Sequence, residues 1–218
     1  MNSFTFLQKI LVFIAPALVL SQIALFQLFV HLWGDTWGYL LGYIIYWFVW
    51  CTPVSIIFLK SRLSGMWKLP KASSKKLHLM AVFLVALPAF ATGLTVFPQY
   101  APYSGWKIIL LALVFTVINA PLEELFWRGV FPSVFPKSLF WGYLYPTFCF
   151  GAWHIAPALA KESGMDGGML SFVGGALFMG ILWGWYSYRY RTVLPTTLSH
   201  LLTNFFAFSG FIYVNWFA

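Results

Sequence analysis

ILVFIAPALVLSQIALFQLFVHL, residues 10–32, decides the class of fold. The run contains no Asp, Glu, Lys or Arg. At about 1.5 Å per residue, a helix of this length covers the roughly 30 Å hydrocarbon core of a bilayer. It is longer than the apolar region of a secretion signal, and no small-residue cleavage site closes it. The expectation is a retained first transmembrane helix.

The rest of the chain repeats the message. Of its 218 residues, 61% are hydrophobic and 8% charged, against about a quarter charged in soluble domains. Mean hydropathy is +0.81. The fold class expected is all-α: a polytopic transmembrane helix bundle of about seven spans, forming one integral membrane domain over residues 1–218. The spans fall near 10–32, 38–59, 78–98, 107–130, 144–161, 169–188 and 195–216. Residues 136–143 read as an interfacial lead-in to the fifth, with Pro146 in its first turn; Pro195 opens the seventh. Strand-like alternation does not recur with turns, so a barrel is excluded. Cys51 and Cys149 sit in apolar runs without CxxC spacing and read as packed thiols.

The net charge of +8 does not imply nucleic acid, because the basic residues occupy short loops. With the N-terminus cytoplasmic, Lys9, Lys60, Arg62, Lys68, Lys71, Lys75, Lys76, Arg128, Lys137, Arg189 and Arg191 fall inside. Only Lys107 and Lys161 fall outside. That bias sets the orientation. Seven spans then place the C-terminus outside.

Three of the five acids, Asp35, Glu162 and Asp166, belong to the outer loops. The other two stand in PLEELFWRGVF, residues 121–131. A charge at the bilayer centre costs at least about 2.5–3.5 kcal/mol, so such groups face protein or a wet cavity, and usually pair. Glu124 and Arg128 have the i,i+4 spacing that allows a pair. Glu123 is turned about 100° away. One alternative is that both glutamates are interfacial and Arg128 snorkels to headgroups.

Two further segments bear on the choice. FGAWH places Phe150 and His154 at i,i+4, and HLLTN does the same for His200 and Asn204. Measured from the cytoplasmic helix ends, Glu123, His154, His200 and Asn204 lie at depths of about 7–14 Å. They can therefore meet in one layer. His31 and His78 stand at helix ends, away from it. HExxH is absent, Ser209 lacks a full nucleophile context, and Ser199 diverges from His200. What remains is a carboxylate to deprotonate water, a histidine to orient it, and a His–Asn pair to hold an oxyanion. That set suits amide hydrolysis without a covalent intermediate.

EELFWR, FGAWH and HLLTN, in this order on successive apolar segments, resemble the EExxxR, FxxxH and HxxxN motifs of the CPBP (Abi) family. That family comprises CAAX-type and bacteriocin-processing intramembrane proteases, including the type II CAAX prenyl endopeptidases. The resemblance covers about residues 107–207. It implies a glutamate-dependent endopeptidase with Glu123 as general base and His154 holding the water. His200 and Asn204 would form the oxyanion hole, with Glu124 and Arg128 bracing the site and Phe150 packed against it. The small-residue ladder Ala176, Gly180, Gly184 is similar to the family's tightly packed helix before the last motif. No cofactor is implied; zinc on Glu123, His154 and His200 is the alternative. The partners implied are the bilayer and a peptide or protein substrate at the cytoplasmic face. A non-catalytic partner of bacteriocin-immunity type and a proton-coupled transporter are the rival readings.

Overall fold

The computed structural model describes residues 4–70, 73–162, 164–212 and 214. Lys71 and the far end of the expected seventh span, residues 213, 215 and 216, lie outside them. Every regular element among the described residues is helical.

Helix α1, Phe6–Ile45, opens on a capping box in which Thr5 and Gln8 satisfy each other's backbone N–H. It is not straight. Gly34 adopts φ 76° and ψ 170°, a conformation that only glycine takes at low cost. The chain folds back there. A Cβ on Gly38 would sit 2.3 Å from the backbone nitrogen of Val30, and one on Gly42 would meet the Phe26 ring. The expected spans 10–32 and 38–59 are the two arms of this hairpin. The second arm continues through a π-helical stretch, Tyr46–Cys51, into α2, Thr52–Leu59, and a 3-10 segment, Lys60–Trp67.

Helix α3 (Lys75–Thr95) is followed by α4 (Phe97–Glu123), broken at Gly105 (φ 70°). A second π-helical stretch, Glu124–Val130, leads into α5, Phe131–Val134. A third, Phe140–Leu144, leads into α6, Tyr145–Trp153, so the expected lead-in is fused to its helix. Each π stretch ends two residues before a proline: Pro53, Pro132 and Pro146. Proline has no N–H for the carbonyl four residues back and its ring crowds that carbonyl. The turn ahead of it widens.

The expected fifth helix is divided. Helix α6 stops at His154 (ψ −11°) and α7, Ile155–Ala160, follows. Pro157 leaves the Trp153 carbonyl without its helical donor, which is the reason for the break. Helices α8, Gly168–Tyr190, and α9, Leu194–Ile212, complete the bundle.

Four helical stretches are long and apolar enough to cross a membrane: Phe6–Trp67, Lys75–Thr95, Phe97–Val134 and Gly168–Tyr190. Burial is inverted relative to a soluble protein. Phe13, Leu20, Phe83, Leu110 and Phe178 point outward, while Gln22, Asn119, Glu123, Glu124, Arg128 and His200 are enclosed. This is an integral membrane protein.

Helix α9 is the axis of the site. Helix α3 runs alongside it in the same direction, as Ser199 Oγ donates to the Val85 carbonyl and Gly93 faces Phe206. The long part of α4 runs antiparallel, with Phe115 on Phe208 and Glu123 beside His200. Helices α6 and α8 approach closely because Gly180 and Gly184 have no side chain. A Cβ on Gly184 would lie 2.9 Å from Thr147 Oγ1, and one on Gly180 would lie 3.2 Å from Phe150. One end of the bundle gathers Gln8, Arg62, Met66, the 132–136 turn and the 191–193 turn through hydrogen bonds. The other end holds the Asp35–Lys161 pair.

Candidate active site

Glu123 lies at the end of α4, 1% exposed. Its carboxylate is held by two neutral donors. Trp153 Nε1 donates to Oε1 at 2.9 Å, and Asn119 Nδ2 donates to Oε2 at 3.1 Å. Each donor is itself fixed. The Trp153 ring stacks on Tyr46 at 3.6 Å, and Asn119 Oδ1 accepts from Trp47 Nε1 at 2.7 Å.

Glu124, one residue on, turns to a different set of partners. Its Oε1 lies 3.2 Å from Arg128 Nη1 and 3.0 Å from His200 Nδ1. The Arg128 guanidinium lies over the Phe150 ring, 3.7 Å from its centre. Glu124, Arg128 and Phe150 are all buried. Interfacial glutamates with a snorkelling arginine are therefore ruled out. The π-helical turn from Glu124 to Val130 is buried at every residue, so the widened turn is spent on enclosing this ion pair.

His200 bridges the two glutamates. Its Nδ1 faces Glu124 and its Nε2 lies 3.5 Å from Glu123 Oε2. Trp183 covers the ring, stacked at 4.5 Å. No carboxylate partner for either imidazole is evident in the sequence; the fold supplies one to His200. Since Nδ1 donates to the Glu124 carboxylate, its tautomer is fixed. Ser199, adjacent in the chain, points away to Val85. Ser209 is buried and bonded to its own helix at Phe206.

His154 sits at the α6–α7 break, half-buried, with Nδ1 at 2.8 Å from the Phe150 carbonyl. That bond leaves Nε2 as an acceptor. Its ring packs between Phe150 and Phe172. Asn204, one helical turn beyond His200, is 8% exposed. Glu123, Glu124, Arg128, Phe150 and His200 are thus in one connected cluster, and His154 touches it through Phe150 and Trp153.

Three contributors are not read from the motifs: Asn119, Trp153 and Trp183. Asn119 carries a signal, being four residues before Glu123 on the same helix face. Trp153 and Trp183 carry none beyond being aromatic. Among the described residues, no group of three or more His, Cys, Asp or Glu side chains is arranged to hold a metal ion.

Fold and site together define a polytopic helical membrane protein with a carboxylate–histidine constellation enclosed by its spans. Residues 105–206 match the type II CAAX prenyl endopeptidase Rce1-like family. That match and the three ordered motifs support the CPBP, or CAAX-type, family. It is a protease family, which supports a membrane protease here. No curated protein and no solved structure matches the chain.

Proposed function

We propose that the protein is a glutamate-dependent intramembrane endopeptidase in which Glu123 activates water. The observation that carries this reading is the division of labour between adjacent acids. Arg128 pairs with Glu124, whereas the hydrogen bonds that Glu123 receives come from the neutral N–H groups of Trp153 and Asn119, with His200 Nε2 3.5 Å from its Oε2. Neutral donors orient a carboxylate without taking its charge, and a base needs that charge.

In this reading Glu123 takes a proton from a water that also donates to His154 Nε2. The hydroxide adds to the scissile carbonyl carbon. The resulting oxyanion accepts from His200 Nε2–H and the Asn204 amide. Glu123 then delivers its proton to the amide nitrogen, the C–N bond breaks to give a carboxylic acid and an amine, and the acid's proton passes to the amine, so a carboxylate and an ammonium leave. With Nδ1 bonded to Glu124, His200 carries a proton on Nε2 only as imidazolium. No metal enters the scheme, and chelators leave activity unchanged.

We further propose seven crossings with the N-terminus cytoplasmic and the C-terminus outside. The fold-back at Gly34 and the grouping of basic turns at one bundle end support this. The substrate is a peptide or protein cut near the cytoplasmic face. The test compares peptide termini in membranes carrying wild-type protein with those carrying Glu123→Gln or His154→Ala. Loss of the same cleaved termini in both variants, each still folded, is expected. Full cleavage by either removes the mechanism. Retained biological activity with cleavage lost in Glu123→Gln would instead favour the non-catalytic partner.

A further inference from the structure

Between α3 and α9 an apolar furrow of about 530 Å³ opens on the outside of the bundle. Its floor is buried: Val85, Ala89 and Ser199 are at most 6% exposed. Phe90, Leu198 and Leu202 form exposed walls. From Leu194 to Phe206 the furrow follows α9 for about 18 Å. That is close to one leaflet of a hydrocarbon core, half of about 30 Å.

The mouth of the furrow is at the basic end of the molecule. Leu69 lines it, and Lys68 precedes Leu69. This segment is fastened to the start of α9, where Thr192 Oγ1 and the Val193 N–H both donate to the Met66 carbonyl. Lys75 and Lys76 begin the opposite wall, α3. All three lysines are exposed. The acids outside the buried site, Asp35, Glu162 and Asp166, belong to the loops at the far end of the bundle, so no carboxylate competes for these lysines.

We propose that this furrow is a binding site for one anionic phospholipid, with its headgroup on Lys68, Lys75 and Lys76 and one acyl chain between α3 and α9. The floor connects the lipid to His200. The Val85 carbonyl accepts from Ser199 Oγ at 2.6 Å and from Trp183 Nε1 at 3.1 Å, and Trp183 is the plate stacked on His200. A filled furrow holds α3 against that plate. The inference does not depend on Glu123 acting as a base.

The test uses the full chain in detergent, exchanged with phosphatidylglycerol or phosphatidylcholine of matched acyl chains and weighed intact by native mass spectrometry. One retained phosphatidylglycerol per chain is expected, held much more tightly than phosphatidylcholine. Each surface lysine contributes about 1 kcal/mol, or about fivefold, so the triple K68Q/K75Q/K76Q loses about 100-fold in preference. Ala86→Phe, which fills the furrow and leaves the lysines in place, loses retention of both lipids. Equal retention of the two lipids, or an unchanged preference in the triple variant, overturns the proposal. Displacement of the retained lipid by a farnesylated peptide but not by its unmodified form also overturns it, and assigns the furrow to substrate.

Discussion

Replacing Trp153 by phenylalanine tests the reasoning about the base most directly. The substitution keeps an aromatic ring to stack on Tyr46 and removes the N–H that donates to Glu123 Oε1 at 2.9 Å. A hydrogen bond to a charged group contributes about 1.5–3 kcal/mol. If that bond orients Glu123 in the transition state, kcat falls by about 10- to 100-fold, at roughly 1.4 kcal/mol per decade. KM stays within about twofold, because Trp153 is wholly buried and offers substrate no surface. Trp47→Phe is the comparison. Its indole acts one step further out, through Asn119, and a neutral bond of about 1 kcal/mol corresponds to about fivefold. The assay is initial-rate cleavage of a peptide that wild type cuts, with melting temperature measured on the same samples. A Trp153→Phe enzyme with wild-type kcat, or one whose loss equals its unfolded fraction, would refute the role assigned to the indole.

Asn204→Ala lowers kcat by about 100- to 1000-fold, the usual cost of an oxyanion donor, with little change in melting temperature; parallel kinetics and melting curves check both. Arg128→Met destabilises by about 3–5 kcal/mol because it strands a buried carboxylate, and adding Glu124→Gln restores much of that in denaturation. Gly34→Ala costs about 1–3 kcal/mol through its positive-φ, extended-ψ backbone alone. Nothing lies within 4 Å of the added methyl, so a larger loss would mean that the fold-back is wrongly placed.

The placement of the apolar segments was legible along the chain because a bilayer imposes a length and a polarity that any 20-residue window reveals. The approximate bounds of the spans beginning near residues 10, 78 and 169 follow from that alone. The three motifs were equally legible, since EELFWR, FGAWH and HLLTN put their polar residues at helical spacing. The breaks were less so. The interruption at His154 comes from Pro157, three residues downstream, and the π turn through Glu124–Val130 comes from Pro132. Both prolines are visible, but how a helix accommodates them depends on what packs alongside.

What the sequence determined by itself was that the chain is a bundle of membrane helices; it also set the expectation that its basic loops share one end and that Glu123, His154, His200 and Asn204 lie at similar depth. Those are one-dimensional properties, set by hydropathy and helical rise. Which group each acid faces was decided only by the tertiary structure. Glu123 and Glu124 are neighbours of the same type, and no local rule separates them. Packing does so by bringing Trp153 from α6 to one and His200 from α9 to the other. Partners that meet across thirty residues or more are chosen by how helices pack, and the spacing within any single helix does not carry that information.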